Sequence, residues 1–482
     1  MLQEELVNLV SQVQTQKSES NTLEFKSAFG GCPKLYDTFS SFSNQTGGGI
    51  ILFGIDEKNN YQICGVYDAA DLQKKISEQS LQMEPVLRPL CTVADIDGKI
   101  VVSAEIQELE LARRPCFYKG AGRIRGSYVR VGDADLPMSE YEVYSYEAYR
   151  KKIQDELRYL ERTTLEDIDT DMFAEYLFHL RKSKPNLAEL SSDKIQKLQG
   201  FVVDTKPTLA GILLFSDYPQ AYVPQLCITA VVVQGTEIGD TGTDSARFID
   251  NARFEGTIPQ LLEQTNKFVR RNMSVKTIID PNTGNRIDRT QYPIVAIREI
   301  LLNALIHRDY SIHTDTAPIM LILYTDRLVL ENPGGLYGRL TLDTLGKISA
   351  DTRNPFIAGA MEVLGETENR FSGIPTIRKS MDEIGLPAPV FELIRGVFRV
   401  TLYNSTVSAI DSSMNFIQSS LDMQILAFCK EPRNRKDLTM QFSQLTPTYL
   451  FSNYINPLVA SGKLALSIPD KPKSKNQMYF SI

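Results

Sequence analysis

The sequence predicts an α+β protein of several domains. Its 482 residues exceed what one hydrophobic core normally supports and indicate about three domains. An apolar content of 42% and a charged content of 23% are typical of globular proteins. Strand-length apolar runs alternate with segments of helical period. The clearest helix follows Pro293, where the apolar residues Ile297, Leu301 and Leu305 lie four positions apart.

The first region, residues 1–150, is predicted to combine helices with a small sheet. A leading helix is followed by a second helix through Phe39 and Phe42, and the glycines at 47–49 then turn the chain into a strand. The predicted strands of this region are residues 50–56, 90–96, 99–106 and 126–131.

A basic segment, residues 111–132, contains no acidic residue and interleaves cations with Phe117, Tyr118 and Tyr128. Cations pair with phosphates and aromatic rings stack on bases, so this segment is the predicted nucleic-acid surface; a merely solvated basic segment is the alternative. A net charge of −7 argues against indiscriminate coating of nucleic acid. The predicted nucleic-acid-binding residues are Lys26, Arg113, Arg114, Lys119, Arg123, Arg125 and Arg130.

Five motifs between Glu19 and Gly132 appear in a fixed order: E-x-x-x-x-E-F-K, S-F-S-N-x-x-G-G, G-I-D-E, R-R-P-x-x-Y and Y-V-R-V-G. Together they resemble the Schlafen-type AlbA-like domain, which implies nucleic-acid binding. Some Schlafen relatives are metal-dependent RNases, and the resemblance would place that chemistry on Glu19, Glu24 and Asp56. The alternative is structural, with Glu24 and Lys26 forming ion pairs.

The middle of the chain is predicted to hold a helical connector, residues 151–200, and an ATP-binding domain, residues 201–405. We expect helices at residues 151–162, 172–184 and 254–273, and strands at residues 208–215 and 225–233. Two hairpins are expected, one with arms 318–324 and 327–331 and one over residues 391–403 that turns at Gly396.

Glu299, Asn303 and His307 lie four residues apart and therefore share one stripe of the predicted central helix. The stripe could simply be solvated. However, E-x-x-x-N-A-x-x-H-R-D resembles the first conserved helix of the GHKL ATPases, such as DNA gyrase, MutL and the histidine kinases. The resemblance implies that Glu299 is catalytic and orients the attacking water, that Asn303 ligates Mg²⁺ with ATP, and that His307 belongs to the same cofactor site.

The segment E-N-P-G-G, residues 331–335, stands where GHKL proteins carry D-x-G-x-G. Asn332 would accept a hydrogen bond from the adenine amino group, and Gly334 and Gly335 would allow close backbone approach; a plain turn is the alternative. Gly373 belongs to the predicted lid, in which Phe371 replaces a glycine of the relatives. We therefore expect ATP to bind and to be hydrolysed weakly or not at all.

The motifs N-A-x-x-H-R-D-Y and T-L-A-G-I-L-L-F-S-x-x-P-Q are similar to those of proteins labelled RecG-related or transcriptional regulators. Residues 406–420, rich in Ser, are predicted to be a linker to a C-terminal winged helix at 421–482. Its helices are expected at residues 421–429, 435–442 and 446–461, and its strands at 463–468 and 477–482. Lys471, Lys473 and Lys475 would lie at the wing tip.

The resulting prediction is a nucleic-acid-binding regulator of transcription whose GHKL-like domain senses ATP. The alternative is a Schlafen-like metal-dependent nuclease. The expected partners are nucleic acid, DNA before RNA, and a nucleotide, with homo-oligomerisation left open. No apolar run reaches the roughly 20 residues of a membrane span, the acidic start is unlike a signal peptide, and the six cysteines form no C-x-x-C, so we expect a cytoplasmic protein without disulfides or zinc.

Overall fold

The computed structural model confirms a multidomain α+β protein. It describes residues 1–482 except 17–19, 241–245, 280–285, 367–371, 395, 406–424, 427, 443–449, 452–454, 461–462, 469–476 and 482. None of the helices in these described ranges is both long and apolar enough to cross a bilayer.

The first region places helices on both faces of a four-stranded sheet with the order β1-β2-β7-β6, in which β1 runs parallel to β2. Its elements are α1 (Gln3–Gln16), β1 (Leu23–Lys26), α2 (Tyr36–Asn44), β2 (Gly49–Phe53), β3 (Ile55–Asp56), β4 (Gln62–Ile63), α3 (Ala69–Ser80), β5 (Met83–Glu84), β6 (Leu90–Ile96), β7 (Lys99–Ile106), β8 (Phe117–Tyr118), α4 (Gly122–Gly126), β9 (Tyr128–Val131), β10 (Ala134–Pro137) and α5 (Glu140–Lys151).

Strand β2 shows why this sheet is covered on both faces. Ile51 and Phe53 belong to the core under α2 and α3, whereas Leu52 packs with Leu6 and Val10 of α1. Successive side chains of a strand point to opposite faces, so an unbroken apolar run requires a cover on each side.

The second region is built on a six-stranded mixed sheet with the order β14-β13-β17-β18-β20-β19; β13 and β17 are parallel and the other neighbours antiparallel. Its elements are α6 (Thr170–Ser183), α7 (Ser192–Leu198), β11 (Val202–Val203), β12 (Lys206–Pro207), α8 (Leu209–Phe215), β13 (Ile228–Val233), β14 (Phe248–Phe254), α9 (Ile258–Asn272), β15 (Val275–Ile279), β16 (Arg286–Thr290), α10 (Ile294–His307), β17 (Ile319–Leu323), β18 (Arg327–Pro333), α11 (Pro355–Val363), α12 (Gly373–Glu383), β19 (Val390–Ile394) and β20 (Val397–Tyr403).

Helix α10 begins directly after Pro293, as predicted, and lies in the middle of this region. Ile297, Leu301 and Leu305 are almost completely buried. One continuous core extends from Ile168 to Leu402 and includes side chains from both sides of position 200. The division between a connector and an ATP-binding domain at that position stays a prediction.

Two predicted elements of the second region are wrong, and a third, the helix at 254–273, is confirmed except for its start. Residues 209–215 form helix α8, not a strand, because the Thr208 hydroxyl caps the helix by accepting from the Gly211 N–H. The expected helix at 151–162 is replaced by the end of α5 and a single 3₁₀ turn, Asp155–Leu157. The helix expected from residue 254 begins at Ile258, since Phe254 is still paired with Ile228 in the sheet.

The C-terminal region encloses a small core of its own, which includes Ile425, Leu438 and Tyr479. A three-stranded sheet with the order β21-β23-β22 covers it. The described elements are β21 (Arg433–Asn434), α13 (Arg435–Gln441), α14 (Asn456–Ala460), β22 (Leu464–Leu466) and β23 (Met478–Ser481). The winged helix stays a prediction, and the wing-tip lysines at 471, 473 and 475 lie outside the described residues.

The chain between the first two regions is fixed by Glu156, which is completely buried. Its carboxylate accepts from the backbone N–H groups of Phe356 (3.0 Å) and Ile357 (2.8 Å) in the first turn of α11. These are groups that have no partner within their own helix. Burial raises the pKa of Glu156 to about 7, although the two backbone donors act in the opposite direction.

Glu156 predicts a pH-dependent stability. Its pKa in the folded protein lies above the ordinary 4.5, so the folded state holds the proton more tightly between these values. The contribution of Glu156 is complete below about pH 4.5 and is lost as pH rises through about 7, by about 3 kcal/mol in all. Urea unfolding at pH 5 to 8 should show Glu156→Gln flattening this decline. Glu362→Gln, an exposed change on α11, should leave the decline intact, and equal slopes in all three proteins would contradict the assignment.

Candidate nucleotide cavity and basic segment

The polar stripe of α10 opens into a cavity of about 550 Å³. Helices α10 and α12, the sheet strands β18 and β20 and the chain between β18 and α11 form its walls. The cavity has the size of a small-molecule site and mixes an apolar wall with a few polar groups. All the residues predicted to contact ATP line it: Glu299, Asn303, His307, Asn332, Gly334, Gly335 and Gly373.

Glu299 and Asn303 form a hydrogen-bonded pair, in which Asn303 Nδ2 donates to Glu299 Oε1 over 3.1 Å. This bond uses the amide nitrogen and leaves Asn303 Oδ1 as an available oxygen ligand. Burial raises the pKa of Glu299, while Asn303 partly opposes that shift. The pair lies against the beginning of α12: a Cβ atom on Gly373 would stand 2.5 Å from Glu299 Oε1 and 2.9 Å from Asn303 Nδ2.

His307 lies one turn further along the stripe. Its side chain is solvent-accessible and lines the cavity. Partial desolvation by the surrounding protein, together with the cation of Arg353, lowers the pKa of His307 below its ordinary value. The imidazole is therefore neutral at pH 7 and can both donate and accept a hydrogen bond.

Asn332 contributes an amide at the wall formed by β18. Its Nδ2 donates to Ala304 O over 3.1 Å, and its buried Oδ1 has no hydrogen-bond partner within the described part of the chain. A buried acceptor without a donor is costly, so this oxygen is suited to a ligand that brings an N–H group.

Three residues around the Gly334–Gly335 turn escaped the sequence analysis. The carboxylate of Asp309 pairs with Arg353 at 3.0 Å, and both are buried. The Tyr141 hydroxyl donates to Asp309 Oδ2 over 2.7 Å. Asp309 belongs to the H-R-D motif, but nothing in the sequence indicates its contact with a tyrosine 168 positions earlier.

The carboxylates of the nuclease alternative are not assembled by the described residues. Glu24 pairs with Lys26 and with Arg130, and the Asp56 side chain accepts from the Lys58 N–H at the start of a 3₁₀ turn. Glu19 lies outside the described residues. Within the described ranges, no three His, Cys, Asp or Glu side chains are grouped so that they could hold a metal ion.

Arg130 must be removed from the predicted nucleic-acid surface. The arginine is buried and pairs with Glu24 at 2.8 Å and with Asp135 at 3.0 Å. The hydroxyls of Thr38 and Ser41 also donate to Asp135. This network connects β1, α2 and the β9–β10 pair, so Arg130 holds the domain together.

Two further cations of the basic segment have acidic partners. Arg123 forms an ion pair with Glu147 of α5, and Arg114 lies 3.8 Å from Glu108 while donating to Leu109 O. By contrast, Arg113, Lys119 and Arg125 are exposed. Within the described ranges these three form no ion pair, although Lys119 donates to Leu81 O. The exposed positive charge of the segment therefore comes from these three side chains.

Two family models match separate parts of the chain. Residues 19–139 match "Schlafen, AlbA_2". Residues 316–402 match "Putative ATP-dependent DNA helicase recG C-terminal". The AlbA_2 segment contains the basic segment, and the RecG C-terminal segment contains Asn332, Gly334, Gly335 and Gly373. Helix α10, with Glu299 and Asn303, precedes the second match.

Solved structures similar to this chain include two from bacteria. The crystal structure of the DIP2311 protein from Corynebacterium diphtheriae is 18% identical, covers 95% of this chain and 93% of its own, and has a TM-score of 0.41. The solution structure of the N-terminal domain of a "Putative ATP-dependent DNA Helicase RecG-related Protein" from Nitrosomonas europaea is 25% identical, covers 27% of this chain and 90% of its own, and has a TM-score of 0.23. No curated protein matches the chain significantly.

The contact between Gly373 and the Glu299–Asn303 pair predicts how a methyl group would act there. Gly373→Ala should displace the two polar side chains and weaken binding of magnesium-ATP by about tenfold or more, while the fold persists because Gly373 starts a helix. Gly359→Ala is the matched control, since a Cβ there meets nothing within 4 Å in the middle of α11. It should leave binding unchanged and stabilise the fold by about 0.5–1 kcal/mol. Calorimetric titration and thermal unfolding of both variants measure these effects; equal affinities would exclude Gly373 from the site.

Proposed function

We propose that the chain is a nucleic-acid-binding regulator of transcription in which the cavity beside α10 binds ATP with Mg²⁺. The observation that carries the proposal is the convergence of seven predicted residues, drawn from α10, the end of β18, the turn after it and α12, on one cavity. The stripe of α10, the turn after β18 and the start of α12 are separate elements of the fold, and their meeting at one cavity supports a shared ligand.

The chemistry of the cavity walls fits a purine nucleotide. Asn332 Oδ1 would accept from the adenine amino group, and the apolar wall that includes Phe398 and Val400 would cover the base. The N–H groups at the start of α12 would face phosphate oxygens, which a helix N-terminus favours. Asn303 Oδ1 would supply an oxygen ligand to Mg²⁺ beside the Glu299 carboxylate.

Hydrolysis is expected to be weak or absent. Phe371, which replaces a glycine of the lid motif, lies outside the described residues. The raised pKa of Glu299 makes it a better proton acceptor than an exposed carboxylate, but it also binds Asn303 and is not aimed at a water by any second group among the described residues. The cavity therefore supports binding more strongly than turnover.

Nucleic-acid binding is supported by the AlbA_2 match and by Arg113, Lys119 and Arg125, whose charges are exposed. Because exposed cations neutralise phosphates without reading base edges, we expect this contact to be largely independent of sequence. DNA is the favoured ligand, with the C-terminal region as a second contact if its winged helix binds the major groove.

Magnesium-ATP should stabilise the protein against heat. A ligand present at 100 times its dissociation constant adds about 2.7 kcal/mol to the free energy of unfolding if it binds only the folded state. Asn303→Ala should remove most of this gain because it deletes the proposed ligand of Mg²⁺. Asn8→Ala, an exposed change on α1, should keep it. The absence of a thermal shift at millimolar ATP would refute nucleotide binding.

The exposed cations predict the salt dependence of nucleic-acid binding. Replacing Arg113, Lys119 and Arg125 together with Ala should weaken binding to unrelated sequences alike and lower the log–log salt slope by about one unit per lost phosphate contact.

The matched control replaces three exposed cations of α6 and α7, Arg181, Lys182 and Lys197, and so changes the net charge by the same amount. Fluorescence anisotropy with labelled duplexes at several salt concentrations measures both affinity and slope. If the two triple variants behave alike, the basic segment is not the contact surface.

A further inference from the structure

Helix α5 follows the AlbA_2 segment in the chain, yet it lies against the turn that borders the cavity. The Tyr141 hydroxyl donates to Asp309 Oδ2 over 2.7 Å and accepts from the Gly335 N–H over 3.2 Å. Its ring also lies beside Gly396, where an added Cβ would be 3.6 Å from the Tyr141 Cε1 atom. One side chain thus bonds to the turn and lies next to the β19–β20 hairpin.

The turn has little freedom of its own. Gly334 has a φ of +105°, and a Cβ there would stand 2.5 Å from Asp309 Cβ. The Gly334 N–H donates to Gly396 O over 2.9 Å, and Arg353 donates to Gly335 O over 3.3 Å. The Gly335 N–H has no acceptor other than Tyr141 within the described part of the chain. Tyr141 therefore holds the Gly335 N–H, for which the described part of the chain offers no backbone acceptor.

The electrostatics keep this arrangement in a single state at neutral pH. Burial and the neighbouring Asp309 raise the pKa of Tyr141 to about 12, so the hydroxyl keeps its proton. Burial opposes the charge on Asp309, but Arg353, Ser311 and Tyr141 outweigh it and lower the pKa of Asp309. The phenol proton is accordingly directed at the carboxylate, and a lone pair of the phenol oxygen remains for Gly335.

We propose that Tyr141 is a positioning residue for the nucleotide cavity: by holding the Gly334–Gly335 turn, it sets the cavity wall next to Asn332. The proposal rests on the proposed binding of nucleotide. It means that the cavity is completed by a helix that precedes it by more than 140 residues. Tyr141 bonds to the turn and to Asp309, and no hydrogen bond among the described residues joins it to the Glu299–Asn303 pair. Its effect should therefore fall on the base and not on the magnesium-dependent part of binding.

The test compares Tyr141→Phe with Tyr144→Phe in the full chain. Tyr144 is one turn along the same helix, its ring is also near His313, and its hydroxyl also donates to a carboxylate, Asp155, over 2.7 Å. Among the described residues, however, no hydrogen bond joins Tyr144 to the Gly334–Gly335 turn. Both variants lose the hydroxyl of a half-buried tyrosine that donates to a carboxylate, so a general loss of stability should affect them alike.

Two measurements are made on each variant. Amide hydrogen exchange of the peptides that cover residues 333–338 should accelerate about tenfold in Tyr141→Phe and stay unchanged in Tyr144→Phe, since only the first loses the bond to Gly335. Calorimetric titration should show Tyr141→Phe binding ADP without magnesium and ATP with magnesium more weakly by the same factor, about tenfold, while Tyr144→Phe binds as the wild type does.

The outcomes separate the two hypotheses. If the wild type binds nucleotide and both variants match it, Tyr141 is not a positioning residue although the proposed function stands. If the wild type binds no nucleotide, the proposed function is wrong and hydrogen exchange alone decides the role of Tyr141 in the turn. Equal exchange in the two variants overturns the proposal in either case, and a loss confined to the magnesium-dependent affinity overturns it as well.

Discussion

The backbone carbonyl groups at the end of α10 need hydrogen-bond donors, and this requirement determines how the second region is arranged. The last carbonyl groups of a helix have no partner within it, and α10 ends inside the protein, where water cannot supply one. Side chains of other elements fill the gap: Asn332 donates to Ala304 O, Tyr310 to Leu305 O, and Asn354 to both Ile306 O and Arg308 O. Each bond contributes about 1 kcal/mol net to stability. A buried carbonyl without a donor would cost more than that, so the penalty for an unpaired carbonyl exceeds the net gain from a paired one.

The hydrogen bonds to these carbonyl groups also place the walls of the cavity. Asn332 belongs to β18 and Asn354 immediately precedes α11, so both elements are held at the C-terminal end of α10. The apolar faces of α10 are packed in the core, and its polar stripe faces the space between β18 and α12. The amide of Asn332 serves both purposes, since its nitrogen satisfies the helix and its oxygen remains for a ligand.

The sequence predicted those features that depend on local pattern. The period of α10, the hairpin of β17 and β18 and the strands β6 and β7 follow from spacing and turn residues alone. The strand predicted at 208–215 was wrong because a seven-residue apolar run has no distinguishing period. The capping role of Thr208 was the available signal for helix α8. Arg130 was misplaced for another reason: an arginine is buried where acidic residues pair with it, and its two partners, Glu24 and Asp135, both lie outside the basic segment. Tyr141 could not be predicted, since it is one of four tyrosines on α5 and nothing in the sequence distinguishes it from the other three.

The packing of α5 against the second region limits how the two regions can be recombined in evolution. Protein regions that meet only through a linker can be recombined freely, because each brings its complete structure with it. Here Asp309 and Arg353 are buried beneath a tyrosine from the preceding region, and Glu156 anchors the intervening chain to α11. A recombination event that replaced residues 1–150 would remove the Tyr141 hydroxyl. The Asp309 carboxylate would lose a donor, and the Gly335 N–H would lose its acceptor. We therefore expect the two regions to be kept together in evolution. An unrelated first region could replace the present one only if it supplied a hydroxyl group at the position of the Tyr141 hydroxyl.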